Sequence, residues 1–137
     1  MNIKGLLYSF VFLSGFIFGK VQFNEKDILN VDEAFLLNSK ITENKIIISW
    51  NIKPGYYLYK RSILIKAGNN ILKHNYITKN ESIVSDEFFG ESAIFKDILE
   101  LEAELLDGIL ERVMDIKAVY QGCAEGRYCY PEKIKSL

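Results

Sequence analysis

Strict two-residue alternation is the feature that most restricts what this chain can become. From Lys45 to Ile52, the side chains of Ile46, Ile48, Trp50 and Ile52 fall on one face, and Ile47, Ser49 and Asn51 on the other. Successive side chains of a strand point to opposite faces, so this segment reads as a strand with one dry face. Leu99, Leu101, Ala103 and Leu105 repeat the pattern, interleaved with Glu100, Glu102 and Glu104. Leu and Glu are good helix formers, which gives 97–114 a competing helical reading. The period is two, however, and favours a strand. Met114, Ile116, Ala118 and Tyr120 alternate once more. Pro54-Gly55 predicts a turn, Tyr56 to Ala67 a second extended run, Gly68-Asn69-Asn70 its end, and Asp107-Gly108 a hairpin. Short strands joined by such turns predict an all-β chain folded as an antiparallel β-sandwich.

The 137 residues leave room for one domain. No low-complexity linker interrupts them, and residues 20–31 read as a lead-in arm. The formal charge is -1 with both signs interspersed, so there is no basic stripe and no nucleic-acid partner is expected. His74, the single histidine, lies in a polar stretch and reads as a surface residue. With one His and two Cys, no four-ligand zinc site can be assembled, and neither a metal nor a cofactor is expected.

Residues 1–19 stand apart. Lys4 precedes a nearly unbroken apolar run from Gly5 to Phe18, the length of a signal-peptide core. It is short for a spanning helix, which needs roughly 20 apolar residues. Small residues occur at Ser14, Gly15 and Gly19, without a clean A-x-A site. The segment therefore reads as an export signal, with an uncleaved N-terminal anchor as the alternative, and 20–137 as the mature domain.

Export brings the only two cysteines, Cys123 and Cys129, into an oxidising compartment where they are expected to pair. Their C-x5-C spacing is not the C-x-x-C of thioredoxin-like sites. On spacing alone a structural staple is the simpler reading. A loop this short, though, gains little chain-entropy stabilisation from closure. Tyr120, Tyr128 and Tyr130 crowd the pair in sequence, and shielding by aromatics would control thiol access. Both readings stay open at this point: a redox couple, or a stapled binding module. A membrane-tethered assembly factor with incidental cysteines is a third.

Three segments carry a family resemblance, in order: PGYYLYK (54–60), DEFFGESAIFKD (86–97) and YQGCAEGRYCYPE (120–132). VDEAF (31–35) is a weaker fourth. Together they resemble the N-terminal periplasmic domain of the DsbD thiol:disulfide interchange family. That resemblance implies an immunoglobulin-like sandwich with the cysteines on neighbouring edge strands. It implies a protein-disulfide reductase relay, with Cys129 as attacking and Cys123 as resolving thiol. It implies a cap loop of Asp86, Glu87, Phe88, Phe89 and Gly90, in which Phe88 lies over the disulfide and swings away when a partner docks. Tyr57 and Tyr59, with Tyr128 and Tyr130, would flank the site. The implied partners are thioredoxin-like proteins or domains and a membrane electron transporter of the DsbD or CcdA type. The implied acceptors are a periplasmic disulfide isomerase or a thioredoxin-like protein of cytochrome c maturation. Asp86 and Glu87 would disfavour the Cys129 thiolate, since a nearby carboxylate raises a thiol's pKa.

Overall fold

The alternating segments become paired strands in the computed structural model of the chain, which describes residues 27–42, 44–105 and 115–137. After a short arm comes one helical turn, α1 (Val31–Ala34), closed by a capping box between Asn30 and Glu33. Strands β1 (Phe35–Ile41), β2 (Lys45–Ile52) and β3 (Tyr56–Tyr59) follow. A 3-10 turn (Lys60–Ser62) leads to β4 (Leu64–Ala67), β5 (Asn70–Ile71) and β6 (His74–Tyr76). Next come β7 (Glu81–Asp86), β8 (Gly90–Phe95) and β9 (Ile98–Glu104). The chain ends with β10 (Ile116–Tyr120), β11 (Gly122–Ala124), β12 (Tyr128–Cys129) and β13 (Lys133–Ser136).

Among the described residues all pairings are antiparallel, in sheets ordered β1-β2-β9-β6, β13-β10-β4-β5 and β12-β11-β3-β8-β7. The architecture is an immunoglobulin-like antiparallel β-sandwich. Ile46, Ile48, Trp50 and Ile52 of β2 are buried, as are Leu99, Leu101 and Ala103 of β9. They meet Ile65 and Ala67 of β4 and Ile116, Ala118 and Tyr120 of β10 in one core. The Trp50 and Tyr120 rings cross edge to face at 5.5 Å.

The extended run expected over Tyr56–Ala67 needs correction. It is broken at Lys60–Ser62, and its halves enter different sheets. The break is held by a remote segment. The Gln121 N–H donates to Ser62 Oγ at 2.9 Å, Ser62 Oγ donates to the Tyr59 carbonyl at 2.7 Å, and the Tyr59 N–H donates to the Gln121 carbonyl. The second layer therefore bends at one level, where β3 gives way to β4 and β10 to β11. His74 is also half-buried rather than a free surface residue. Its ring meets Tyr76 at 5.2 Å, and burial lowers its pKa. The 1–19 segment, the Asp107-Gly108 turn and Met114 lie outside the described residues. Among the described residues no helix is long and apolar enough to cross a membrane.

Candidate active site

The hairpin β11–β12 carries both cysteines. The Arg127 N–H donates to the Ala124 carbonyl at 3.0 Å. Gly126 has φ 68° at the position where a type II turn requires a positive value. The register sets Cys123 opposite Cys129, and a disulfide joins them. On its other side Cys123 pairs with Tyr57 of β3. Gly122 makes this approach possible. A Cβ there would lie 2.5 Å from the Tyr57 carbonyl oxygen and 2.5 Å from Phe35 Cζ.

Alternation then sorts the tyrosines. Tyr57 and Tyr59, two residues apart, share a face with Cys123 and form a small second core with Ile94, Val84 and Cys129. Tyr128 and Tyr130 flank Cys129 in sequence and so belong to the opposite face. Their rings meet each other at 5.1 Å, and Tyr130 is buried in the main core. There its hydroxyl donates to the Leu29 carbonyl at 2.5 Å, tying the N-terminal arm to the cysteine hairpin. Tyr57 and Tyr59 are therefore brought to the disulfide, and Tyr130 is not.

Asp86 organises the polar side. It ends β7 opposite Gly90, and residues 87–89 form the turn to β8. Asp86 Oδ1 accepts the N–H groups of Phe88 and Phe89 at 3.0 and 2.8 Å. Oδ2 accepts the hydroxyls of Tyr57 and Tyr59 at 2.6 and 2.5 Å. Burial pushes the Asp86 pKa up, but the hydrogen bonds from Tyr57, Tyr59, Phe89 and Phe88 together outweigh it and hold the carboxyl below its ordinary range. Burial, then the bond to Asp86, raises the Tyr59 pKa to about 12, and the same causes move Tyr57 further up. Both phenols are thus protonated donors at neutral pH. With its hydrogen given to Asp86, Tyr59 Oη lies 3.2 Å from Cys123 Sγ and 3.7 Å from Cys129 Sγ, presenting lone pairs to both. Asp86 reaches the sulfurs through this hydroxyl.

Access differs between the sulfurs. Cys123 is 1% exposed, whereas Cys129 is half-buried at the sheet edge. In the β7–β8 turn, Phe88 and Phe89 are 48% and 41% exposed, so neither is a core residue. Phe89 is the one whose ring meets Tyr59, at 5.0 Å. Glu87 is exposed in the same turn. Sequence reasoning missed Arg61, whose guanidinium lies over the Phe89 ring. Its one sequence signal is adjacency to the Tyr59-bearing segment. Among the described residues no cluster of three His, Cys, Asp or Glu side chains is placed to hold a metal ion.

Fold and site define a class: an immunoglobulin-like sandwich with a cross-strand disulfide, one sulfur buried and the other half-buried at a sheet edge, beside a tyrosine pair that an aromatic hairpin touches. The family model described as "Thiol:disulfide interchange protein DsbD, N-terminal" matches residues 25–137, and the chain belongs to that family. The DsbD protein of Haemophilus ducreyi is 39% identical over 108 residues, 79% of this chain and 18% of its own length. That of Cronobacter sakazakii is 30% identical over 132 residues, 96% of this chain and 22% of its own. The chain thus spans about a fifth of these relatives. The reduced DsbD N-terminal domain of Neisseria meningitidis shares the fold, with a TM-score of 0.71 at 23% identity over 83% of this chain and 90% of that one. The complex between DsbD N-terminal and PilB N-terminal domains from the same organism gives 0.65 at 23% identity, over 81% of this chain and 86% of that one.

Proposed function

We propose that this domain is a periplasmic thiol–disulfide relay working through Cys123 and Cys129. The observation that carries the reading is the pairing of a buried sulfur with a reachable one in a domain of this family. A donor thiolate attacks Cys129 Sγ, and the Cys123 sulfur leaves with the bond's electron pair and takes up a proton. The donor's second thiolate then attacks its own sulfur of the mixed disulfide and releases Cys129. Two electrons have moved, the donor is a disulfide, and the domain is a dithiol. In the forward half, the Cys129 thiolate attacks an acceptor disulfide, and Cys123 resolves the complex by attacking Cys129. Cys123 remains beside Tyr59 throughout, so the buried partner is held ready for the second step.

The Asp86–Tyr59 arrangement supports a restrained thiol in the reduced domain. A thiol facing Tyr59 Oη finds an acceptor, and hydrogen bonding to the neutral form disfavours the thiolate. The Asp86 charge behind that hydroxyl acts in the same direction. Because the Asp86 pKa is lowered, this charge is present at neutral pH and is lost only as the pH falls through its depressed value. Replacing both acids (Asp86→Ala, Glu87→Ala) is expected to lower the Cys129 pKa and to raise its alkylation rate at pH 7 by about fivefold. The pH–rate profile of iodoacetamide labelling measures this, and an unshifted profile would rule out the restraint.

Donor and acceptors follow from the same reading. The donor is a thioredoxin-like protein or domain supplied by a membrane electron transporter of the DsbD or CcdA type. The acceptors are a periplasmic disulfide isomerase or a thioredoxin-like protein of cytochrome c maturation. Residues 1–19 would export the chain or anchor it, and 20–137 would be the working domain. Acid quenching and alkylation in cells test the relay. The pair should be found largely reduced when the membrane transporter is present and oxidised when it is deleted. A pair oxidised in both strains would remove the reading.

A further inference from the structure

Arg61 is a cation set against the aromatic tip of the β7–β8 hairpin. It lies two residues after Tyr59, in the 3-10 turn, and Ser62 fixes that turn through the hydrogen bonds to Tyr59 and Gln121. Its backbone is therefore anchored to the rigid part of the sandwich. Its guanidinium lies 4.3 Å from the Phe89 ring centroid and 5.3 Å from that of Tyr59. These two rings themselves meet edge to face at 5.0 Å. Among the described residues Arg61 forms no ion pair with a carboxylate. The cation is thus available to the ring faces that attract it.

The hairpin tip itself is tied at its base. Asp86 Oδ1 holds the N–H groups of residues 88 and 89, and the β7–β8 register runs up to Asp86 and Gly90. The Phe89 ring can leave Tyr59 without breaking any of these bonds. Tyr59 carries the hydroxyl that sits beside both sulfurs, and Arg61 bridges its ring to that of Phe89. We propose that Arg61 is a positioning residue that latches Phe89 onto Tyr59 and so sets how often Cys129 is open to attack. The proposal rests on the relay reading and on the opening of the 86–90 hairpin, and it places the moving contact at Phe89.

The test is the rate at which dithiothreitol reduces the disulfide of the folded domain. Its thiolate attacks Cys129 Sγ, its second thiol closes the oxidised ring, and two protein thiols remain. Arg61→Ala should speed this step roughly two- to fivefold, the span an exposed cation–π contact supports, with the thermal midpoint unmoved. Arg61→Lys should restore part of the protection. Phe89→Leu should speed the step alone, and Arg61→Ala added to it should give no further increase, since the two groups act as one contact. A wild-type rate for Arg61→Ala, or independent multiplication of the two effects, overturns the latch. Reduced thioredoxin-like protein run in parallel separates the two ideas. If it reduces every variant at the wild-type rate and dithiothreitol does so too, the latch falls and the relay stands. If it leaves the wild-type disulfide intact while the dithiothreitol rates depend on Arg61 as stated, the latch stands and the relay falls.

Discussion

Cys129→Ser is expected to abolish disulfide exchange with a thioredoxin-like protein, whereas Cys123→Ser is expected to begin the exchange and stall. The asymmetry follows from access and from the chemistry of the second step. Cys129 is the reachable sulfur, half-buried on the edge strand β12, and Cys123 is enclosed by β3 and β12. Without Cys129 no incoming thiolate finds a sulfur it can approach in line, and exchange drops to background. Without Cys123, Cys129 still attacks an oxidised acceptor, but no neighbouring thiol resolves the product. A mixed disulfide approaching one complex per domain should then survive acid quenching and non-reducing electrophoresis, and dissolve with excess reductant. Equal behaviour of the two variants would refute the division of roles.

The second large effect is on stability. Gly122→Ala places a methyl group against the Tyr57 carbonyl and the tip of the Phe35 ring. The carbonyl belongs to a paired strand and cannot rotate away, so β11 must separate from β3. Overpacking typically costs about 1–3 kcal/mol, and a clash with a fixed carbonyl belongs at the upper end, about 3 kcal/mol. For a domain of this size that corresponds to a fall in melting temperature of about 10 °C. Because Cys123 is the next residue, the same shift moves its sulfur away from Tyr59. A Gly122→Ala domain that melts with the wild type would show that the strands are not in this close contact.

The strands that the sequence made legible are those whose burial is decided by their own alternation. β2 and β9 carry a dry face and a wet face, and no remote contact is needed to read them. The break at Lys60–Ser62 was hidden because it contains neither Gly nor Pro. It is held by Gln121, about sixty residues away in sequence, and is a tertiary property. The cysteine pair was plain, but which tyrosines join it depended on register. Tyr128 and Tyr130 adjoin Cys129 in the chain and face away from it, whereas Tyr57 is remote and lies directly across from Cys123. The family resemblance supplied the 86–90 hairpin, and it put Phe88 over the disulfide. The ring contact to Tyr59 is made by Phe89, and Arg61 joins it from the 3-10 turn after β3. Contacts between a turn residue and a hairpin tip leave no periodic trace.

What the whole reading requires is a disulfide that a protein can open while the sandwich stays folded. The direct measurement mixes the oxidised domain with a reduced thioredoxin-like protein in native buffer, following free thiols at Cys123 and Cys129 alongside near-ultraviolet circular dichroism. The relay predicts stoichiometric appearance of two thiols with the aromatic tertiary signal retained. Thiols that appear only when that signal collapses would mean that the Cys123–Cys129 bond is a staple.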